Sequence, residues 1–249
     1  MSESIMIIGS TSLLAQQLAK TYAIKGYHLL LLARDGSEVG KIGEDLKIRH
    51  NATYTNIACD LTSIESIAES SHKILEYDEL PRTIIFVAGY IPEELDKIGE
   101  NQEEIHKMTF TNYLGPALFL SYFLPKLRNS TNPVNIVFVS SVAADRGRKS
   151  NYPYGAAKNA LNTYAQGLRA LLHPYGHCVL TVKMGYMNTR LAYGKIPLVL
   201  ACSPKYAALK ISQAVESKKF IIYLPGFWRL IMIALRSLPE RVFIKLPIP

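Results

Sequence analysis

Three side chains near the middle of the chain have the types and the spacing needed to move a proton at a carbonyl group. The apolar run at residues 136–139 predicts a buried strand that ends in two serines, the second of which is Ser141. Tyr154 and Lys158 follow at the start of an Ala/Leu-rich helical pattern, and their spacing of four places both on one helix face. A hydroxyl at a strand end, a phenol and an ammonium could therefore converge on one carbonyl or carbinol carbon.

The Tyr-x-x-x-Lys spacing is informative only in its context, because it occurs three times in this chain. With 15 tyrosines in 249 residues, a short pattern of this kind arises by chance about once. The pairs are Tyr122 with Lys126, Tyr154 with Lys158, and Tyr206 with Lys210. Only the middle pair has a strand-terminal serine upstream, and a surface pair on a helix accounts for the other two.

The composition predicts a globular protein with one large domain. Of the 249 residues, 49% are hydrophobic and 19% are charged, which suits a single α/β domain with an ample core. The N-terminal residues do not resemble a signal peptide, and no uninterrupted apolar stretch approaches the ~18 residues that a spanning helix needs. The three cysteines, Cys59, Cys178 and Cys202, are widely spaced and predict reduced thiols in a cytoplasmic protein.

The positive charge of the chain admits three interpretations. The net charge is +8 and the isoelectric point is near 9.3. No basic run or recognition motif accompanies this charge, so we expect no nucleic-acid partner. Attraction to phosphate-bearing ligands and attraction to an anionic membrane surface are compatible with each other, and both stay open.

Short apolar runs alternate with longer patterns of helical spacing along most of the chain. Several runs are apolar throughout, so both of their faces should be covered, as in a parallel sheet between two layers of helices. This βαβ rhythm predicts a single-domain α/β fold, a Rossmann-type doubly wound parallel sheet of about seven strands with helices on both faces. The predicted strands are residues 4–8, 28–33, 53–58, 83–88, 135–140, 179–184 and 220–223; the predicted helices include 13–25, 64–76, 103–127, 154–172 and 204–217.

The turn after the first predicted strand could hold a phosphate group. Gly9 stands at a strand-to-helix turn, where a glycine lets a pyrophosphate approach the backbone and the helix N-terminus supplies N–H groups. Ser10, Thr11 and Ser12 add hydroxyl groups at the same turn. Since only one glycine is present, an ordinary turn with a Ser or Thr helix cap explains this segment equally well.

The end of the second predicted strand bears on which dinucleotide would bind. An NAD-binding fold usually has a carboxylate there for the ribose 2′-hydroxyl, but this chain has Ala33 followed by Arg34. A guanidinium can bond a 2′-phosphate bidentately, which predicts NADP(H) over NAD(H); a solvated surface arginine is the alternative. Asp60 after the third strand could meet the adenine edge, and Ala88-Gly89 after the fourth strand leaves room for a nucleotide.

Together these residues resemble the short-chain dehydrogenase/reductase family. The similarity spans residues 5–189 and rests on motifs in the family's order: the turn at Gly9, Asp60-Leu61, Ala88-Gly89, Asn112-Tyr113-Leu114-Gly115, Ser141, Tyr154-x-x-x-Lys158, and the segment from Gly185 to Thr189. The resemblance implies that Asn112, Ser141, Tyr154 and Lys158 form a catalytic tetrad. It also implies a nicotinamide dinucleotide site lined by Gly9, Thr11, Ser12, Leu14, Arg34, Asp60, Leu61, Ala88, Gly89, Tyr154, Lys158, Gly185 and Thr189.

The chain departs from the family's pattern at two places. The glycine-rich turn usually has three glycines, and here Leu13 and Ala15 occupy the later two positions. Alanine suffices where only close helix packing is required, whereas Leu13 needs an altered loop or an outward side chain. Met184 stands where a proline usually precedes Gly185.

The residue chemistry and the resemblance together predict a mechanism. A free tyrosine has a pKa near ~10, so Tyr154 donates a proton readily, and a nearby Lys158 ammonium should lower that pKa. Ser141 would bond the substrate oxygen, and by resemblance Asn112 positions a water that passes protons to Lys158. We therefore predict an NAD(P)-dependent oxidoreductase that reduces a ketone to a secondary alcohol by hydride transfer, with Tyr154 as proton donor. The six histidines lack ligand spacing, so we expect no metal site.

The last part of the chain adds a narrower resemblance. Residues 222–239 are similar to a branch of the family that includes decaprenylphosphoryl-2-keto-ribose reductases, which reduce a keto sugar carried on a polyprenyl phosphate. We expect a short-chain dehydrogenase/reductase Rossmann domain over residues 1–226 and an apolar, basic extension over 227–249. Apolar residues among cations suit peripheral contact with the inner face of an anionic membrane. A helix packed on the core or on a second subunit is the alternative.

The substrate and the assembly are the least constrained predictions. A lipid-linked keto sugar is one candidate substrate. A soluble reductase of ketoacyl groups or small ketones and a non-catalytic dinucleotide-binding sensor of the same fold are the alternatives. We also expect a homo-oligomer.

Overall fold

A seven-stranded parallel sheet organises the fold. The structure is a computed structural model that describes residues 3–92, 98–188 and 200–246. In chain order the strands are β1 (Ser4–Ile8), β2 (His28–Ala33), β3 (Tyr54–Ala58), β4 (Thr83–Phe86), β5 (Asn135–Ser141), β6 (Cys178–Met184), β7 (Tyr186–Met187), β8 (Ala201–Cys202) and β9 (Ile221–Leu224). The large sheet has the order β3-β2-β1-β4-β5-β6-β9 with every pair parallel, and β7 pairs with β8 separately. The predicted doubly wound Rossmann-type sheet is confirmed.

Helices cover both faces of this sheet. They are α1 (Leu13–Ile24), α2 (Gly36–His50), α3 (Ile64–Leu75), α4 (Gln102–Thr109), α5 (Gly115–Asn129), α6 (Tyr152–Leu172), α7 (Pro204–Glu216), α8 (Trp228–Ser237) and α9 (Glu240–Phe243). One core contains the buried side chains of α1, α2 and α7, and the other contains those of α3, α5 and α6. The α8 helix packs at the end of the sheet against a third, smaller cluster.

The strands are apolar throughout because successive side chains enter opposite cores. In β1, Ile5 and Ile7 join the core under α1, whereas Met6 and Ile8 join the core under α5. All four are at most 1% exposed. Because these strands are parallel, the carboxyl ends of β1, β4 and β5 lie along one edge, where a doubly wound sheet binds its ligands.

Two helical segments differ from the sequence prediction. The α2 helix was not predicted, because only Val39 and Leu46 among its charged residues supply fully buried apolar positions. The single helix predicted at 103–127 is instead α4, a π-helical turn at Phe110–Leu114, and α5. Pro116 explains the interruption, since it has no N–H to donate to the carbonyl of Asn112 four residues earlier.

The remaining differences concern element ends and short elements. Strand β4 ends at Phe86, and the N–H groups of Val87 and Ala88 both turn to the Ile8 carbonyl. Strand β5 runs one residue further than predicted, to Ser141, and α6 begins two residues earlier, at Tyr152. The pair β7 and β8 was not predicted, whereas α8 and α9 lie where a C-terminal helix packed on the core was one of the two interpretations.

Candidate active site

A cleft of about 440 Å³ opens at the carboxyl edge of the sheet, between the ends of the central strands. Almost all the predicted site residues line it: Gly9, Thr11, Ser12, Arg34, Asp60, Leu61, Ala88, Gly89, Ser141, Tyr154, Lys158 and Gly185. Asn112 is fully buried beside the cleft, next to Gly89. Leu14 is absent from the lining, and Thr189 lies outside the described residues.

The turn between β1 and α1 is held open by Gly9. Its φ of +90° is strained for any other residue, and a Cβ there would lie 2.6 Å from the Ala88 nitrogen. Ser12 caps α1 by accepting from the Ala15 N–H at 3.2 Å. Ser10 points away from the cleft, donating to the Ile7 carbonyl at 2.7 Å and accepting from the Leu32 N–H at 3.0 Å. Of the three hydroxyls considered at this turn, those of Thr11 and Ser12 border the cleft.

The first turn of α1 accommodates the residues that replace glycines. Leu13 is 49% exposed, so its side chain takes the outward course. Ala15 is fully buried, as close helix packing requires. Leu14 is also buried, in the core under α1, so only its backbone N–H is placed to meet a ligand.

The outer end of the cleft has one cation and two carboxylates close together. Arg34 is exposed and lines the cleft directly after Ala33, the last residue of β2. The Asp35 carboxylate caps α2 by accepting from the N–H groups of Ser37 at 2.9 Å and Glu38 at 3.1 Å. Glu38 is exposed and also lines the cleft. Its negative charge therefore weakens the attraction between Arg34 and a bound anion.

Asn112 fixes the loop that follows β4. Its side-chain amide donates to the carbonyls of Tyr90 at 2.6 Å and Met108 at 2.9 Å, and its Oδ1 accepts from the Tyr90 N–H at 3.1 Å. Both amide hydrogens are therefore committed to the backbone. A Cβ on Gly89 would lie 3.3 Å from this Oδ1 and 3.5 Å from the Lys158 Nζ, so Gly89 separates the two groups.

Ser141 and Tyr154 lie close together on the cleft wall. Ser141 ends β5 and its Oγ accepts from the Ala143 N–H at 3.1 Å, which orients the hydroxyl. Burial raises the pKa of Tyr154, and the nearby Ser141 hydroxyl and the positive charge of Arg148 oppose that rise. The phenol is therefore protonated at neutral pH.

Lys158 lies beneath this pair. It is 2% exposed, its Nζ donates to the Val139 carbonyl at 3.0 Å, and the Nζ is 6.0 Å from the centre of the Tyr154 ring. Burial lowers the pKa of Lys158 to about 8. Burial is the largest influence on the Tyr154 phenol, and Arg148 is a cation that opposes the rise in its pKa; that Lys158 also lowers this pKa stays a prediction.

Several residues in or near the cleft were not predicted from the sequence, among them Tyr90, Glu104, Lys107 and Arg148. Tyr90 and Lys107 line the cleft, with the Lys107 Nζ 4.1 Å from the centre of the Tyr90 ring and the Tyr90 hydroxyl donating to Glu104 at 2.6 Å. Arg148 stands in the loop before α6, close enough to act on Tyr154. Tyr90 directly follows the Ala88-Gly89 motif, which was a usable signal, but no motif marks the others.

The wall behind Ser141 is built from a buried polar cluster and from α8. Lys183 forms an ion pair with Asp145, and the Tyr223 hydroxyl donates to the second Asp145 oxygen at 2.8 Å. These contacts join the loop after β5 to β6 and β9. Trp228 packs in the same cluster as Val142 and fills the space beside Gly185, where a Cβ would overlap the indole ring.

Comparison with known proteins identifies the family. A sequence model of that family, described as short chain dehydrogenase, matches residues 3–196. The chain belongs to the short-chain dehydrogenase/reductase family. It has the Rossmann fold that the sheet order shows.

Relatives of this short-chain dehydrogenase/reductase have been described by name in several organisms. An uncharacterized oxidoreductase of Mycobacterium tuberculosis (strain ATCC 25618 / H37Rv) is 32% identical over 137 residues, which is 55% of this chain and 55% of that protein. The match thus spans about half the length of that relative. Dehydrogenase/reductase SDR family member 7B of Xenopus laevis is 25% identical over 260 residues, covering 97% of this chain and 80% of that protein.

Solved structures of the family share the fold over nearly the whole chain. A short-chain dehydrogenase from Sphingobium yanoikuyae in complex with NADPH has a TM-score of 0.82 at 19% identity, covering 98% of this chain and 96% of that one. A short-chain dehydrogenase from Burkholderia cenocepacia J2315 in complex with NADP also has a TM-score of 0.82 at 19% identity, covering 100% and 98%. Among the described residues, no helix is both long and apolar enough to cross a membrane.

Proposed function

We propose that this short-chain dehydrogenase/reductase is an NADPH-dependent reductase that converts a ketone to a secondary alcohol. The observation that carries the proposal is that Ser141 and Tyr154 line one wall of the cleft together, with the buried Lys158 beneath them. Two hydroxyls on one wall can both bond a carbonyl oxygen placed in the cleft, and one of them can protonate it.

The raised pKa of Tyr154 supports reduction as the direction of the reaction. A phenol that stays protonated at neutral pH is a competent acid toward a developing alkoxide and a weak base toward an alcohol. Ser141 orients the substrate oxygen, because its own hydroxyl is fixed by the Ala143 N–H. Lys158 and Arg148 supply the positive charge that stabilises the phenolate left after the proton has moved. The bound nicotinamide cofactor would supply the hydride.

Asn112 acts in this proposal through the backbone. Its side-chain amide holds the backbone of Tyr90 in place. This fixes the loop that contains Gly89, which lies next to Lys158. Since the side-chain Oδ1 already accepts from the Tyr90 N–H, the backbone carbonyl of Asn112 is the better acceptor for a water that relays protons to Lys158. Pro116 deprives that carbonyl of its usual helical donor.

The residues of the cleft fit a nicotinamide dinucleotide. Gly9 keeps side-chain atoms out of the turn at the N-terminus of α1, where N–H groups and the helix dipole favour a pyrophosphate. Thr11, Ser12 and Asp60 would hold the phosphates and the adenosine, and Gly89, Gly185 and Lys158 would border the nicotinamide half. Thr189 is proposed as a further contact by resemblance.

We propose that Arg34 gives this site a preference for NADP(H) over NAD(H). It is the cation beside the strand end that lacks a carboxylate, and Asp35 is engaged in capping α2. Arg34→Ala should weaken NADPH binding by about 10–100-fold, the value of one charge-assisted bond, and leave NADH binding nearly unchanged. Calorimetric titration of both cofactors tests this, with Arg128→Ala, at the end of α5 outside the cleft, as the control. Equal dissociation constants for NADPH and NADH in the native protein would remove Arg34 from cofactor selection.

The experiment that tests the reaction is NADPH oxidation with a panel of carbonyl substrates. Keto sugars, ketoacyl thioesters and ketosteroids are supplied with and without lipid, and the secondary alcohol is identified by mass spectrometry. Turnover of at least one ketone is the expected result. NADPH binding without turnover of any of them would favour a dinucleotide-binding sensor and contradict the proposed reductase.

For the substrate we propose a keto sugar linked to a polyprenyl phosphate, in line with the resemblance of residues 222–239. The net charge of +8 suits its phosphate, and the apolar C-terminal helices suit its tail. The comparison that decides is the reduction of the lipid-linked keto sugar against the same sugar phosphate without lipid and against a ketoacyl thioester. Preference for the thioester would replace this substrate by a soluble ketoacyl compound and leave the reductase chemistry intact.

The proposed place of action is the cytoplasm, at the inner face of a membrane. The cysteines Cys59, Cys178 and Cys202 are free and buried, as expected of reduced thiols. We also propose that the protein is a homo-oligomer, which sedimentation equilibrium would test directly.

A further inference from the structure

The last two helices carry an unusual combination of charge and exposed apolar surface. We call residues 227–246, with α8 and α9, the C-terminal helical pair. It contains four basic residues, Arg229, Arg236, Arg241 and Lys245, and one acidic residue, Glu240. The carboxylate of Glu240 accepts a hydrogen bond from the Arg146 guanidinium at 2.6 Å, so its charge is offset within the protein.

The α8 helix is apolar on two opposite faces. Trp228 and Met232, one turn apart, are buried against Val142, with Ile231 and Leu235 packed beside them. On the opposite side Leu230 is 72% exposed and Ile233 is 55% exposed, and their spacing of three places them on one face. A helix that is apolar on both faces is typical of one that is covered on both sides. Within the described part of the chain, only the inner face is covered.

The segment around α9 repeats this arrangement. Phe243 is buried beneath the Arg146 guanidinium, which lies 4.3 Å from the centre of its ring. The neighbouring Val242 and Ile244 are exposed by 46% and 69%, next to Arg241 and Lys245. Large exposed apolar side chains gathered on one short segment mark an interaction surface.

We infer that the outer face of the C-terminal helical pair docks on an anionic membrane surface. Apolar side chains at this density enter the boundary between headgroups and acyl chains, and the interleaved cations meet anionic headgroups. Complementary charge identifies the partner. The cations of the C-terminal helical pair have no ion pair within the described part of the chain, and its single carboxylate is already paired with Arg146. The inference deepens the membrane location given under the proposed function, but vesicle binding does not depend on the reaction.

The inner face of the same helices contacts the wall of the cleft. Val142, which directly follows Ser141, packs against Trp228, and Arg146 from the same loop holds Glu240 and Phe243. A membrane-bound outer face would therefore present the cleft wall close to the lipid surface, where a substrate with an apolar tail is delivered.

Vesicle co-sedimentation tests the inference with the full chain. Vesicles of phosphatidylcholine alone are compared with vesicles that also contain phosphatidylglycerol, at low and high salt. We expect binding to the anionic vesicles only, weakened by salt, because the cations contribute through screened charge. The double variant Leu230→Glu/Ile233→Glu should lower the bound fraction by about tenfold or more, since two membrane-facing apolar groups become charged.

The matched control is Ile48→Glu/Ile64→Glu. Both isoleucines are exposed, by 80% and 55%, on α2 and α3, so the control makes the same change in net charge elsewhere. It should bind as the native protein does.

The inference is overturned if native protein stays in the supernatant with anionic vesicles at low salt, or if the control loses as much binding as the test variant. It is also overturned if Leu230→Glu/Ile233→Glu dissociates an oligomer and the native protein does not bind vesicles. The outer face of α8 would then contact a second copy of the chain. NADPH oxidation by a water-soluble ketone in each variant separates these results from failure of the proposed reaction.

Discussion

Replacing each of two buried asparagines by leucine should change the stability of the protein in different ways. Asn112 is fully buried and makes three hydrogen bonds, two of them to the backbone of Tyr90. Asn162 is 6% exposed, and neither its side-chain oxygen nor its nitrogen has a partner in the described structure. Replacement by leucine keeps the volume similar in both cases, so the difference reports on hydrogen bonding rather than on cavities.

The magnitude follows from the groups left unpaired. Asn112→Leu removes the buried hydrogen bond to the Met108 carbonyl and leaves the partly buried N–H and carbonyl of Tyr90 without their partner. Each unsatisfied buried group costs about 1–3 kcal/mol, so the free energy of unfolding should fall by about 2–5 kcal/mol. Asn162→Leu leaves no group without a partner and removes a buried amide. Its free energy of unfolding should therefore stay within about 1 kcal/mol of the native value or rise. Urea denaturation of the two variants measures both changes.

The same pair of variants tests the role of the Tyr90 loop. Because Gly89 and Tyr90 line the cleft, Asn112→Leu should also weaken NADPH binding, whereas Asn162→Leu should leave it near the native value. If Asn112→Leu unfolds at the native urea midpoint and binds NADPH normally, the loop is held by something other than Asn112 and this account of the site is wrong.

Three further predictions concern the cleft. Reduction should slow as pH rises through about 8, because Lys158 loses its charge above its lowered pKa; the residual rate of Lys158→Arg should stay flat across that window. Gly9→Ala should cost about 1–3 kcal/mol of stability and impair NADPH binding, as φ is +90° and the added Cβ meets Ala88; Gly147→Ala, with open space around it, is the control. Gly185→Ala should displace the Trp228 indole and change its fluorescence, and an unchanged spectrum would place the ring elsewhere.

The sheet could be predicted from the sequence because its physical signature is local. Strands covered on both faces must be apolar at every position, and β1 and β5 show this without any knowledge of their neighbours. The α2 helix left a weaker signature, since it buries one narrow stripe and is otherwise charged. The signal for the π-helical turn at Asn112 was Pro116 alone, since a proline leaves the carbonyl four residues before it without a helical donor.

The site could be predicted where a motif lies on one element and not where loops converge. Ser141, Tyr154 and Lys158 are positioned by β5 and α6, and the structure brings them together as their spacing indicates. Arg148 acts on Tyr154 because the loop before α6 brings the two residues together. Lys107 lies on α4 and contacts Tyr90, which lies in the loop after β4. The effects of burial and of Arg148 on the pKa of Tyr154 could not be predicted for the same reason, since both depend on the tertiary structure.

The proposed function depends on Tyr154 donating the proton in ketone reduction. The direct measurement is single-turnover NADPH oxidation by Tyr154→Phe with the best ketone from the panel, beside Tyr206→Phe, which alters an exposed tyrosine with the same spacing to a lysine. We predict that Tyr154→Phe binds NADPH normally and reduces the ketone about 10²–10⁴-fold more slowly, while Tyr206→Phe keeps the native rate. A native rate in Tyr154→Phe would contradict the mechanism.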